Sequence, residues 1–152
     1  MEIIDFEEKY RDQVINLWIN ICIDEYGFEK WRDSIEHAHN SLFKNNNGEF
    51  LIAIIEYKVI GTISLKNLGD NVGEIKGFYV DKNYRRHKIG LNLMNHLVEF
   101  AKKAGYTHLT LDTYDVFEDA KRFYLKYGFE CIGRRGDMIL LQKTIWDFKW
   151  LK

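Results

Sequence analysis

No proline occurs in the 152 residues, an absence that by itself selects no function. Cysteine is scarce: Cys22 and Cys131 stand far apart, outside any C-x-x-C pattern. A disulfide scaffold and a zinc site are therefore not expected, and both cysteines are expected to be buried small hydrophobes. The five histidines show no ligand spacing. His37 and His39 are two apart, which on a helix turns them to different faces. No metal site is expected. No apolar run approaches the ~18 residues of a membrane span. Glu2, Asp5, Glu7 and Glu8 interrupt any apolar stretch that a secretory leader would need, so the expected location is cytoplasmic. The net charge of −1 and a pI near 6.5 lack the basic excess of a general nucleic-acid binder.

What is present is enough apolar material for a globular body: 46% hydrophobic and 15% aromatic residues. The length suits one domain over residues 1–152 with a sizeable core. Charge is unevenly spread. Residues 1–36 hold ten acidic and four Lys/Arg side chains, and the remainder thirteen acidic and eighteen Lys/Arg, so an acidic front (−6) precedes a basic body (+5).

Hydrophobic periodicity predicts a strand over 1–6, a helix over 12–23 and a weaker helix over 31–44, ended by the turn Asn45-Asn46-Asn47-Gly48. Strands follow over 50–56 and 59–65, joined by a tight hairpin at Tyr57-Lys58, and Gly69-Asp70-Asn71 turns into a third strand, Val72–Val80. A helix over 90–103 carries the stripe Leu91, Leu93, Met94, Leu97, Val98 and Ala101, with Gly105 where a C-terminal cap belongs. A strand (107–113), a helix (117–127) and two strands (129–133 and 138–145) complete the order βααβββαβαββ. That is one mixed α/β domain, with a central sheet of about six to seven strands flanked by about four helices.

The stretch from Val80 to Leu91 carries most of the functional signal. An apolar strand ends there, a loop with four Lys/Arg and one His follows, and a helix begins near Gly90. Backbone N–H groups at a helix N-terminus lack intrahelical acceptors and sit at the positive end of the helix dipole. A basic loop in that place suits a ligand with several phosphates. Gly77, inside an apolar strand, marks a bulge or a close backbone approach.

These residues, in this order, resemble the GNAT superfamily of N-acetyltransferases. The family's phosphate loop, Arg/Gln-x-x-Gly-x-Gly/Ala, is similar to Arg85-Arg86-His87-Lys88-Ile89-Gly90, with Lys88 at the first glycine. The family's later Ala, Tyr and Gly-Phe are matched by Ala120, Tyr124 and Gly128-Phe129, about 35 residues on. An Asn common three residues before that Ala is Phe117 here. The resemblance implies acetyl-CoA as co-substrate. Its pyrophosphate would lie over Arg85, Arg86, His87, Lys88, Ile89, Gly90 and Leu91. Its pantetheine arm would run along the backbone of Phe78, Tyr79 and Val80 like an added strand, with Phe117 and Ala120 packed beside it. Lys88, in place of that glycine, can still offer its N–H if its φ is negative, and its ammonium can add a phosphate contact.

Acetyl transfer to an amine poses two proton problems. A lysine-like amine with pKa ~10.4 costs roughly 4–5 kcal/mol to neutralise at pH 7, and the departing thiolate needs a proton. Tyr124 matches the family's usual acid. Glu74, opening the strand that leads to the loop, is the candidate base, with Tyr79 and Asp112 in reserve. The acceptor groove implied by the family lies along the first two helices, where Asp24, Glu25, Glu29, Asp33 and Glu36 could attract a cation and Trp18, Tyr26, Phe28 and Trp31 could wall it. The acceptor expected is a small-molecule or peptide amine. The Lys88 and Phe117 departures keep open a second reading, an acyl-CoA-binding sensor or interaction module with weak turnover. A binder of phosphate-rich ligands or RNA is a third reading, disfavoured by the net charge. Met138, Leu140, Gln142, Thr144, Trp146, Phe148 and Trp150 alternate. Trp146, Phe148 and Trp150 are accordingly expected to be buried, in a homodimer contact through the C-terminal strand or over the chain's own acceptor groove.

Overall fold

Two-residue turns set the front of the sheet. The structure, a computed structural model, describes residues 1–42 and 48–146, with side chains outside 38–42. Strand β1 (Glu2–Asp5) is followed by helices α1 (Arg11–Ile19) and α2 (Arg32–Leu42), and then by strands β2 (Glu49–Ile55), β3 (Lys58–Gly69) and β4 (Val72–Val80). Glu56 and Tyr57, both at positive φ, turn β2 into β3, and Asp70 and Asn71 do the same between β3 and β4. Two left-handed residues in a two-residue loop match the twist of a hairpin. The first turn is thus one residue earlier than the sequence suggests. Helix α3 (Ile89–Lys103), β5 (His108–Tyr114), α4 (Glu118–Tyr127), β6 (Glu130–Arg135) and β7 (Met138–Thr144) follow. The expected element order is the observed one. The turn at Asn45-Asn46-Asn47 and the expected helix end at Lys44 lie outside the described residues.

The seven strands form one sheet in the order β1-β2-β3-β4-β5-β7-β6. Every neighbouring pair is antiparallel except β4 and β5. That parallel ladder is short. It joins Val72, Gly73 and Glu74 to His108, Leu109 and Thr110, although both strands run on, to Val80 and Tyr114. Beyond Glu74 the sheet forks, and the facing edges of β4 and β5 have no strand between them.

Each face carries its own apolar layer. On one, Leu93, Met94, Leu97 and Ala101 of α3 are fully buried against Ile63, Leu65, Leu109 and Leu111. On the other, Val14, Leu17, Trp18 and Ile21 cover Phe50 and Ile52. Each buried side chain of this size contributes about 1.5–3 kcal/mol, so α1 and α3 hold the sheet between them. The α3 stripe is buried as expected except for Leu91, which is exposed, while Ile89 is buried in addition. The expected first long helix is α-helical only to Ile19. It widens into a π-helical stretch over Asn20–Glu25 and ends as the amides of Tyr26 and Gly27 bond back to Ile21 and Ile23.

One expectation is corrected. Cys22 is buried, but Cys131 is exposed, because it lies on edge strand β6 beside a register shift. On β7 Ile139 and Leu141 enter the core, and Trp146, expected to be buried in a homodimer contact or over the chain's own groove, is 43% exposed in the single chain. Phe148 and Trp150 lie outside the described residues. No described helix is long and apolar enough to cross a membrane.

Candidate active site

The fork is made by a bulge. On β3, Thr62 and Ser64 face Tyr79 and Lys76, so β4 carries one residue more than its partner here. Gly77 supplies it at φ +58, in the left-handed region that glycine enters most easily. The Ser64 hydroxyl donates to the Lys76 carbonyl at 2.8 Å and the Thr62 hydroxyl to the Gly77 carbonyl at 2.6 Å. After the bulge Phe78 and Val80 turn to the α3 layer and Tyr79 to the α1 layer.

The loop leaving β4 is held from both ends. The Asp81 carboxylate accepts the Asn83 amide at 2.9 Å. Arg85 donates through Nε to the Val80 carbonyl at 3.1 Å and grips Glu25 with both terminal nitrogens, one of them 2.8 Å from Oε2. The Arg85 guanidinium is therefore committed across the cleft to the end of the π-helical stretch that follows α1, while Arg86, His87 and Lys88 are exposed. Arg86 and Lys88 both adopt positive φ, +70 and +62. Lys88 was expected to need a negative φ. It instead takes the left-handed conformation that a glycine would supply, as the residue preceding α3. No side chain caps α3, and its first bonded amide in this turn is Asn92, to the Lys88 carbonyl at 3.0 Å. The N–H groups of Ile89, Gly90 and Leu91 precede that bond, the arrangement that receives phosphate oxygens. A non-glycine left-handed residue costs roughly 1–2 kcal/mol. Lys88→Gly should accordingly raise the melting temperature by about 2–8 °C, as read by calorimetry. An unchanged or lower value would mean that the Lys88 side chain stabilises the loop by more than its backbone costs.

The two faces of the fork differ in chemistry. Gly73 and Ile75 face the α3 layer, so Glu74 and Lys76 face the α1 side. Glu74 sits on the last paired rung, opposite Thr110, with its carboxylate 3.3 Å from the Lys76 ammonium. By the same alternation Asp112 and Tyr114 of β5 share that side, and Asp112 accepts from Arg135 at 2.7 Å. Tyr79 points there too, half-buried beside the buried Cys22, and desolvation pushes both the phenol and the thiol up. Tyr124 of α4 lies on the opposite face, 9% exposed and ringed by Phe78, Phe123 and Phe129. Burial pushes its phenol far above the ordinary tyrosine value, so it stays protonated across the working pH range. Ala120 packs against the same layer.

An aromatic cluster closes the end of the fork. Phe28 stacks on Trp31 at 4.5 Å and on Tyr114 at 5.3 Å, and Phe117 stacks on Tyr26 at 4.6 Å. Three of the four expected wall residues are thus assembled. The fourth, Trp18, is buried in the core instead. Tyr114 was missed, although its place two residues after Asp112 on β5 puts it on the same face. Phe117 leans on the wall residues Tyr26 and Phe28. The acidic rim is weaker than its residue count suggests, because Glu25 is paired with Arg85 and Glu29 with Arg32. A cleft between α1 and the loop is lined by Leu17, Ile21, Asp24, Glu25, Asp81 and Asn83, among others.

Known proteins share this fold. The acetyltransferase (GNAT) family model matches residues 11–129. An aminoalkylphosphonate N-acetyltransferase of Salmonella typhimurium is 31% identical over 124 residues, 78% of each chain. An N-acetylaspartate synthetase of Xenopus tropicalis is 35% identical over 85 residues, 55% of this chain and 31% of that protein. The chain spans about half the length of two further curated relatives, 53% and 50%. Among solved structures, a GNAT-family acetyltransferase from Staphylococcus aureus superposes with a TM-score of 0.86 at 27% identity, covering 95% of this chain and 99% of that one. The forked sheet, the uncapped helix after a basic loop and the family match over most of the sequence agree, and the chain belongs to the GNAT family of acetyltransferases.

Proposed function

We propose that this domain transfers the acetyl group of acetyl-CoA to a primary amine by direct attack. Acetyl-CoA is the co-substrate of the family and supplies an activated acyl group on a thiol that leaves. The residues present fit it. The backbone before Asn92, turned by left-handed Arg86 and Lys88, offers uncapped amides for the pyrophosphate. The β4 edge past Glu74 has no β5 partner and can take the pantetheine arm over Phe78, Tyr79 and Val80, where the Val80 carbonyl keeps one lone pair beyond its bond to Arg85. Arg85 serves the loop through its hold on Val80 and Glu25, with its own side chain turned from the phosphates.

One observation carries the reading. Glu74 and Tyr124 stand on opposite faces of the sheet, with Glu74 at the rung where it forks. A proton acceptor for the incoming amine and a proton donor for the departing thiolate are needed on opposite sides of a thioester held in such a fork. In this reading Glu74 takes the amine proton, directly or through water, and Tyr124 gives one to sulfur.

The deciding experiment measures CoA thiol release from acetyl-CoA with a panel of amines that includes aminoalkylphosphonates, aminoglycosides, polyamines and peptides. Amine-dependent release supports transfer. Saturable CoA binding with no release for any amine would favour the sensor reading. With an active amine in hand, Glu74→Gln should shift the acidic limb of the pH–rate profile, and a profile that stays in place would assign the base elsewhere.

A further inference from the structure

Thr62 is fully buried in the middle of β3, where a valine would cost less. Both capacities of its hydroxyl are in use. Trp18 Nε1, which can only donate, gives its proton to Thr62 Oγ1 at 2.8 Å, and Thr62 Oγ1 gives its own to the Gly77 carbonyl at 2.6 Å. The direction of the relay is therefore fixed: indole N–H to hydroxyl, hydroxyl to carbonyl. Trp18 is itself 3% exposed, and its ring lies so close to Gly77 that a β-carbon there would stand 2.9 Å from Cζ2.

A trans peptide is planar, so its C=O and N–H point in opposite directions. There is no cis peptide in the described chain. Holding the Gly77 carbonyl toward Thr62 thus aims the Phe78 N–H away from β3, on the side where β4 has lost its β5 partner. We propose that Trp18 and Thr62 are positioning residues for acetyl-CoA. Their relay locks the 77–78 peptide so that the Phe78 amide is presented to the pantetheine arm. This rests on the reading of the fork as the acetyl-CoA site. It assigns a binding role to two core residues that touch no substrate.

The test compares two ligands by isothermal calorimetry: CoA, and adenosine 3′-phosphate 5′-diphosphate, which keeps the nucleotide and pyrophosphate but lacks the arm. Thr62→Val should weaken CoA about tenfold and leave the nucleotide's affinity unchanged. Thr62→Ser, which keeps the hydroxyl, should restore CoA binding. Trp18→Phe keeps an aromatic ring but loses the indole donor, so it should give a smaller loss of the same arm-selective kind, and it serves if Thr62→Val does not fold. A general loosening of the core would weaken both ligands alike, and that result, or an unchanged CoA affinity in folded variants, would overturn the relay. If the wild-type protein binds CoA no tighter than the nucleotide, the placement of the arm fails, and the relay fails with it.

Discussion

Tyr124→Phe should lower kcat by about 10²–10⁴-fold, the usual worth of a positioned general acid, while acetyl-CoA affinity stays nearly intact. The substitution removes one oxygen and keeps the ring that packs on Phe78 and Phe129. Among the described residues no side chain hydrogen-bonds that hydroxyl, so removing it leaves no buried partner unsatisfied and the melting temperature should barely move. Burial keeps the phenol protonated, hence the wild-type rate should show no basic limb near pH 10 from this group. The measurement is a single-turnover rate with acetyl-CoA saturating, so that product release does not mask the chemical step. An unchanged single-turnover rate would remove Tyr124 from the mechanism. An equal loss in affinity and rate would make it a packing residue of the cofactor face.

The β4–α3 region shows why some of this site could be read from the sequence and some could not. The strand Val72–Val80 and the helix after it follow from periodicity, and a glycine inside an apolar strand advertises a bulge. Phosphate-loop chemistry is local, so a basic turn before a helix is visible in twelve consecutive residues. Long-range pairings leave no such trace. Arg85 reads as one more loop cation, yet its side chain is paired with Glu25, 60 residues away. Trp18 reads as a wall aromatic because it lies on the acceptor-side helix. Its burial against Phe50 and Tyr79, 6.0 and 6.1 Å between ring centres, depends on which face of α1 meets the sheet. The weakened acidic rim has the same origin, since counting carboxylates does not reveal which ones an arginine neutralises. Cys131 follows a different rule. Cysteine is usually buried, but a residue on an edge strand takes its exposure from the strand's place in the sheet, and the order β5-β7-β6 is not written in local pattern.

Gly77→Ala should be strongly damaging for a change of a single methyl group. Two costs fall on one atom. At φ +58 an alanine is in the left-handed region, worth roughly 1–2 kcal/mol. Its β-carbon would also stand 2.9 Å from Trp18 Cζ2, in a layer where overpacking typically costs about 1–3 kcal/mol. Together these take roughly 2–5 kcal/mol from a fold whose whole margin is about 5–15 kcal/mol, or roughly 5–15 °C in melting temperature. Gly136 isolates the first cost. It has φ +61, and an added β-carbon there meets nothing within 4 Å. Gly136→Ala should therefore lose only the backbone part, about 1–2 kcal/mol, and keep full CoA affinity. Gly77→Ala should lose more stability and also weaken CoA, because the methyl pushes the 77–78 peptide off the Thr62 hydroxyl. A double-mutant cycle with Trp18→Phe completes the argument. The smaller ring withdraws the atom that clashes, so the pair should couple favourably by about 0.5–3 kcal/mol. Equal melting temperatures for the two alanine variants, or zero coupling in the cycle, would show that the indole yields freely and that the bulge is held by its backbone alone.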